Sequence, residues 1–503
     1  MAITAVRTLR NYVGGEWIDA ESTEALDVVN PANGETLARV PLSVAADVDR
    51  AVAAARSAFP GWRRTSTLRR VQWLYSFRQG LIDAQEELAE IVTREMGKTL
   101  PDAKAEVGRM IEMVEAATAI PTTMQGRNLE NVATAVDCET YRQPVGVCAA
   151  IVPFNFPAMV PMWFLPFAIA CGNTFVLKPS EQVPLTQERV FEIADAIPGL
   201  PPGVLNLVNG SKDVVNRLLD HPDVSAISFV GSAATAKYVY RRAAETGKRV
   251  QALGGAKNVM VVMPDAVIDK TVDGIIGSAF GAAGQRCMAG SVVVTVGAAH
   301  DLLMPTLVQR TRALTVGDGL DAATAVGPVV SCAARDRIVG WIGNGVEAGA
   351  TLVVDGRTPD ADENGSFVGP TILDDVEPTM EIAQEEVFGP VLTVCRVDTL
   401  DEAIEVVNGS RYGNGTSIFT ESGAAVRHYR HDVQVGMIGV NIGVAAPVAF
   451  FPFSGWKDSF FGDLHAHGTD AVDFFTRKKT ITSRFFSSGE TGQFFTEQGD
   501  RTS

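Results

Sequence analysis

From Gly146 onward the chain alternates short runs that are apolar on both faces with stretches of helical periodicity, and this alternation restricts the fold more than any other feature. The runs VCAAIV (147–152), TFVLK (174–178), VLNLV (204–208) and AISFV (226–230) are separated by helices expected at 157–170, 186–195, 211–219 and 232–246. A strand apolar on both faces has to be covered on both, which a parallel sheet with crossover helices achieves. The expectation is a doubly wound α/β domain with ligands at the carboxyl ends of its strands. A second alternation starts near Asn258: VMVVM, a helix at 268–284, SVVVTV, helices at 302–313 and 334–348, TLVVD, VLTVC, a helix at 401–408, SIFT and MIGVN. It predicts a second α/β domain. Residues 47–120 place apolar side chains at helical spacing among charges, giving several amphipathic helices. CETYRQPVG at 138–146 and the tail FFTRKKTITSRFF are expected to pair as a small β arm suited to oligomerisation. The expected division is 1–122 with 146–256, then 257–455, with the arm built from 123–145 and 468–490.

At 503 residues the chain exceeds one ordinary hydrophobic core. A formal net charge of -16 removes the Lys/Arg excess that phosphate backbones demand, so nucleic acid and anionic membranes are excluded as general partners. Six cysteines without a C-x-x-C pair fit a reducing interior, neither a disulfide scaffold nor a zinc site. The N-terminus lacks the apolar core of an export signal, which points to the cytoplasm. PAMVPMWFLPFAIACG at 157–172 falls short of the roughly 20 residues of a membrane helix and reads as a buried helix.

Cys287 lies in FGAAGQRCMAG, flanked by Gly281, Gly284 and Gly290. A free cysteine is usually a small buried hydrophobe, the reading that suits most of the other five. Here the glycines allow close backbone approach, and the neighbouring Arg286 is expected to favour the thiolate, as a nucleophile requires. Asn155 in IVPFNFP ends a strand and begins a helix, so its amide either caps that helix or donates to an oxyanion. Lys178 and Glu181 in VLKPSE sit at the same sheet edge, as a solvated turn or where a nucleotide would lie. Gly231 and Ser232 in SFVGSAA open a helix whose amides could receive a phosphate. No G-x-G-x-x-G fingerprint, Walker loop, H-E-x-x-H or Cys/His cluster occurs, so no metal is expected, and the six histidines read as surface residues.

Together PFNFP (153–157), LKPSE (177–181), FVGS (229–232), GQRC (284–287) and EEVFGP (385–390) resemble the aldehyde dehydrogenase superfamily in order and spacing. The resemblance implies an NAD-binding first domain, a catalytic second domain and a homotetramer. It implies that Cys287 is the nucleophile, with the Asn155 amide and the Cys287 N–H as oxyanion hole. It assigns Val152, Phe154, Lys178, Glu181, Gln182, Gly231, Ser232 and Glu386 to the NAD site, with Glu181 on the adenosine 2′-hydroxyl.

The sequence departs from most members at RVQALGGAKN, 249–258, where a glutamate before L-G-G usually activates the deacylating water. Alignment on LGG puts Ala252 at that position, and alignment on Lys257 puts Leu253 there; neither accepts a proton. A general base typically contributes ~10²–10⁴-fold, so another nucleophile is implied. TGKRVQ (246–251), GAKN (255–258), VVMPDA (261–266), FGAAGQRCMA (280–289) and KTITS (479–483) resemble the branch that uses coenzyme A on methylmalonate semialdehyde. That branch implies a carboxylate clamp from Arg109 and Arg286, decarboxylation, and propionyl-CoA or acetyl-CoA as product. Two alternatives stand beside it: a hydrolytic dehydrogenase releasing a free acid, and an inactive NAD-binding protein on the same fold.

Overall fold

The computed structural model describes residues 6–485. Its architecture is α/β, with two mainly parallel sheets and a small antiparallel arm. The first sheet runs in the order Glu16–Ile18, Asn11–Val13, Leu205–Leu207, Thr174–Lys178, Val147–Ile151, Val224–Val230, Arg249–Leu253, Phe460–Gly462. The five strands from Leu205–Leu207 to Arg249–Leu253 are parallel, and antiparallel strands flank them. In chain order the sheet grows from Val147–Ile151 in one direction, then reverses to add Val224–Val230 on the other side. The strand order reverses between those two strands, which is where open α/β sheets form a binding crevice.

The second sheet has the order Thr351–Val354, Thr371–Asp374, Val391–Val397, Gly290–Val296, Asn258–Val262, Gly415–Phe419, Met437–Val440. Only the Thr351–Val354 edge is antiparallel. Thr371–Asp374 is absent from the sequence expectation because four residues ending in aspartate give almost no alternation to read.

Further segments differ from the sequence reading. The 157–172 stretch is buried but forms two short helices, Met159–Met162 and Leu165–Ala170, because Pro161 and Pro166 interrupt the backbone ladder. The helix expected at 268–284 stops at Phe280, and Gly281–Gly284 forms a tight turn in which Ala282 and Ala283 adopt φ of 50° and 52°. Gly468–Phe475, expected in the arm, is a helix that buries Ala471, Val472, Phe474 and Phe475 in the core. The arm itself is the antiparallel sheet Thr476–Arg484, Val136–Pro144, Asn128–Ala133. Phe460–Gly462, beyond the expected boundary at 455, completes an edge of the first sheet. The last residues assigned to the arm, 486–490, lie outside the described residues.

Candidate active site

Two chain segments leave the first sheet where its strand order reverses. After Val147–Ile151 come Val152, Pro153, Phe154 and Asn155; after Val224–Val230 come Gly231 and Ser232. Ser232 caps the helix Ala233–Glu245, its hydroxyl accepting from the Thr235 N–H, so the positive end of that helix opens at the sheet edge. A buried pair on the neighbouring layer fixes the Asn155 loop. Lys98 Nζ donates to Glu106 and, at 2.7 Å, to the Asn155 carbonyl, while Glu106 Oε1 accepts from the N–H groups of Ala158 (2.8 Å) and Met159 (3.1 Å). Sequence reasoning missed this support, because charges near a helix start read as solvated.

Cys287 follows the Gly281–Gly284 turn. A Cβ on Gly284 would stand 2.1 Å from the Gly389 carbonyl oxygen, so only glycine lets this turn press against EEVFGP. The Cys287 carbonyl accepts from the amides of Asn258 (2.8 Å) and Asn414 (2.9 Å), which locks its peptide. Asn155 Nδ2 donates to the Gln285 carbonyl at 3.0 Å, bringing that amide to within two residues of the sulfur along the same loop.

The thiol is not activated as the sequence suggested. Burial pushes it up to about 12, Glu386 raises it further, and the local backbone amides and Arg286 only partly oppose this. The Arg286 guanidinium is turned away to Asp102, at 2.7 Å, and to the Gly277 carbonyl.

Cys287 lines two cavities and is the one residue common to them. The first, a cleft of about 250 Å³ where the strand order reverses, includes Phe154, Asn155, Gly231, Ser232, Cys287 and Glu386. The second, a chamber of about 70 Å³, includes Arg109, Arg286, Cys287, Trp163, Phe453 and His467. Arg109 is half-buried and donates to Glu112 at 2.6 Å, so it is no freely solvated helix charge. Arg286 Nε is buried without a partner. Val152, Lys178, Glu181 and Gln182 line neither cavity. They form the adjoining sheet edge, where the Val152 N–H donates to the Lys178 carbonyl, Lys178 Nζ donates to Glu181 at 2.7 Å, and Gln182 is exposed.

His467 was missed as a site residue, and the surface reading of the histidines is corrected. His221, His300 and His467 are buried. The His467 ring packs edge-on to Trp163, its Nδ1 has no hydrogen-bond partner, and burial holds it down at about 4, hence neutral. Sequence proximity gives no hint that residue 467 reaches the Cys287 chamber. The core reading of the other cysteines holds for Cys148, Cys171 and Cys395; Cys332 is exposed and Cys138 half-buried. At the base position Ala252 and Leu253 are both buried in the strand Arg249–Leu253. Among the described residues the only carboxylate lining either cavity is Glu386, pushed up to about 7 by burial against the opposing pull of the Ala256 N–H, Lys257, Arg337 and Arg411. Among the described residues no group of three His, Cys, Asp or Glu is placed to hold a metal, and no helix is long and apolar enough to cross a membrane.

Residues 17–481 match the aldehyde dehydrogenase family. Malonate-semialdehyde dehydrogenase 2 of Bacillus cereus is 53% identical over 483 residues, covering 96% of this chain and 99% of that protein. The chain belongs to the aldehyde dehydrogenase family. An aldehyde dehydrogenase of Geobacillus kaustophilus, malonate-semialdehyde dehydrogenase 2, is also 53% identical over 483 residues, 96% of this chain and all of its own length. Among solved structures, methylmalonate-semialdehyde dehydrogenase of Oceanimonas doudoroffii superposes with a TM-score of 0.94 at 45% identity, covering 96% of this chain and 99% of its own. The NAD complex of a proposed methylmalonate-semialdehyde dehydrogenase from Sinorhizobium meliloti 1021 gives 0.95 at 44% identity, covering 97% and 99%.

Proposed function

We propose that this aldehyde dehydrogenase oxidises malonate or methylmalonate semialdehyde with NAD and transfers the acyl group to coenzyme A. The observation that carries the reading is the meeting of Cys287 with two arginines, Arg109 and Arg286, in one small chamber. A chamber of about 70 Å³ suits a short aldehyde, and two guanidinium forks recognise a carboxylate. The names of the bacterial relatives and structural neighbours agree with it.

The cleft on the other side of the sulfur fits a dinucleotide. Gly231 and Ser232 set the positive end of the Ala233–Glu245 helix at its wall, suited to a pyrophosphate, and Glu181 lies at the adjoining edge as an acceptor for a ribose hydroxyl. Val152, Phe154, Lys178, Gln182 and Glu386 would complete the cradle. NAD, when bound there, supplies the two-electron acceptor.

The chain's own residues do the rest. The Cys287 sulfur adds to the aldehyde carbon, and the Asn155 amide with the Cys287 N–H receives the developing oxyanion. Oxidation leaves a thioester on Cys287, and the β-carboxylate between Arg109 and Arg286 departs as carbon dioxide, its C–C electron pair passing into the thioester enolate, which takes up a proton at carbon. With apolar Ala252 and Leu253 at the usual base position, the thiol of coenzyme A, not water, takes the acyl group. The arm supports a homotetramer, and the protein is assigned to the cytoplasm.

One observation favours a second reading, hydrolysis to the free acid: Glu386 lines the Cys287 cleft and titrates near neutrality, as a water-activating base should. NADH formation from methylmalonate semialdehyde, followed with and without coenzyme A, separates the two. A large rate increase with acyl-CoA product supports the proposal, whereas acid release indifferent to coenzyme A overturns it. Arg109→Leu should raise KM for the acidic aldehyde far more than for propanal.

A further inference from the structure

We infer that Asp102 and Glu112 are positioning residues for the acidic aldehyde. Each ties one arginine of the Cys287 chamber to a backbone N–H of a neighbouring loop, and so fixes the fork that meets the substrate carboxylate. The inference rests on the reading of Arg109 and Arg286 as a carboxylate clamp, and it names what holds that clamp in place.

The same arrangement occurs twice. Glu112 Oε2 accepts from Arg109 Nη1 at 2.6 Å, while its Oε1 accepts from the Ala449 N–H at 3.0 Å. Asp102 Oδ1 accepts from Arg286 Nη2 at 2.7 Å, while its Oδ2 accepts from the Ala282 N–H at 3.0 Å. Each carboxylate thus puts one oxygen on a guanidinium and the other on the main chain. Asp102, Arg109 and Glu112 all belong to the helix Leu100–Ala117, at spacings that set them on one side of it. The two N–H groups belong to the walls of the site. Ala282 lies in the left-handed turn Gly281–Gly284 that leads to Cys287, and Ala449 lies between Pro447 and Phe453, which line the chamber. The Ala449 carbonyl accepts from the Gly468 N–H at 3.1 Å, so that residue is held at both its N–H and its carbonyl. A Cβ on Gly281 would stand 2.6 Å from Arg286 Nη1, so the glycine leaves room for the guanidinium against the turn.

Stability does not explain these pairs. Neither is fully buried, and partly exposed ion pairs add little to folding. What they do supply is order. A long arginine side chain loses rotamer freedom when it grips a ligand, and one already held by a carboxylate has lost that freedom before the substrate arrives. The guanidinium keeps further N–H donors for the substrate, because Arg109 gives only Nη1 to Glu112, and Arg286 gives Nη2 to Asp102 and Nη1 to the Gly277 carbonyl while its Nε has no partner. One helix therefore sets both forks and, through Ala282 and Ala449, the loops that stand around the sulfur.

The test is NADH formation by the full-length enzyme with NAD and coenzyme A, read as the ratio of kcat/KM for methylmalonate semialdehyde to kcat/KM for propanal, which lacks the carboxylate. Glu112→Gln has nearly the same shape, but its single acceptor oxygen cannot hold the guanidinium and the N–H together. It should lower the ratio by about tenfold, through a raised KM for the acidic aldehyde. In an Arg109→Leu background the same change should lower the ratio by less than about twofold, because Glu112 acts through that arginine. Asp102→Asn repeats the test on Arg286, and since the two pairs are separate, either variant serves if the other fails to fold. Equal losses for both aldehydes would show a purely structural role, and a lowered KM for the acidic aldehyde would show a carboxylate that only competes with the substrate; either result overturns the inference. So does a full effect of Glu112→Gln in the Arg109→Leu background. Failure of the clamp reading looks different: Arg109→Leu alone would then leave the ratio at its wild-type value, and the inference would fall with it. A ratio lowered by Arg109→Leu but kept by both Glu112→Gln and Asp102→Asn would sink the positioning role alone.

Discussion

At the scale of single residues, the chemistry depends on how neighbours alter groups whose identity is already plain. Cys287 was legible as the candidate nucleophile from its glycines, but its ionisation was not. Arg286 does pull the thiol down, but the fold pairs it with Asp102, 184 positions away, and its pull is outweighed. Burial then dominates and keeps the thiol protonated near neutrality. In the free enzyme, iodoacetamide modification of Cys287 should therefore rise about tenfold per pH unit between about pH 7 and about pH 9. A profile that levels off near neutrality would mean an activated thiolate. His467 allows a stability test. Burial lowers its folded-state value from 6.5 to about 4, so at acidic pH the unfolded chain binds a proton that the folded protein refuses. Stability should fall as pH drops through that window, and going from about pH 7 to about pH 5 should cost the wild type about 2 kcal/mol more than His467→Phe, measured by urea unfolding.

At the scale of elements, periodicity located most strands and helices because each element's burial pattern repeats within a few residues. It failed where backbone chemistry overrides the repeat, at Pro161 and Pro166 and at the left-handed Ala282 and Ala283. The support of the Asn155 loop is likewise tertiary. Lys98 and Glu106 are an almost wholly buried pair, and removing one partner leaves the other charge without compensation. Glu106→Ala should destabilise the protein by about 3–5 kcal/mol in chemical denaturation, and NADH formation should fall with the loss of order around Asn155. An unchanged midpoint would show that the loop is held by other contacts.

At the scale of the whole molecule, the arm leaves Tyr141 and Ile481 exposed on one face of a three-stranded sheet and Leu129 on the other, and the Tyr141 and Ile481 face is the one proposed to meet a second copy of the chain. Tyr141→Lys combined with Ile481→Lys should shift the mass measured by light scattering toward smaller species, whereas an unchanged mass would place the interface elsewhere. By itself the sequence determined the two parallel-sheet units, the strand pairing of the arm, the candidate nucleophile and the apolar residues at the usual base position. These are properties of short windows, where burial period and residue type suffice. Only the tertiary structure decided that Cys287 lines two cavities, that Arg109 and Arg286 share one of them with buried His467, and that Glu386 lines the other. Those pairings join residues tens to hundreds of positions apart, and their charges and burial exist only once both sheets have closed around them.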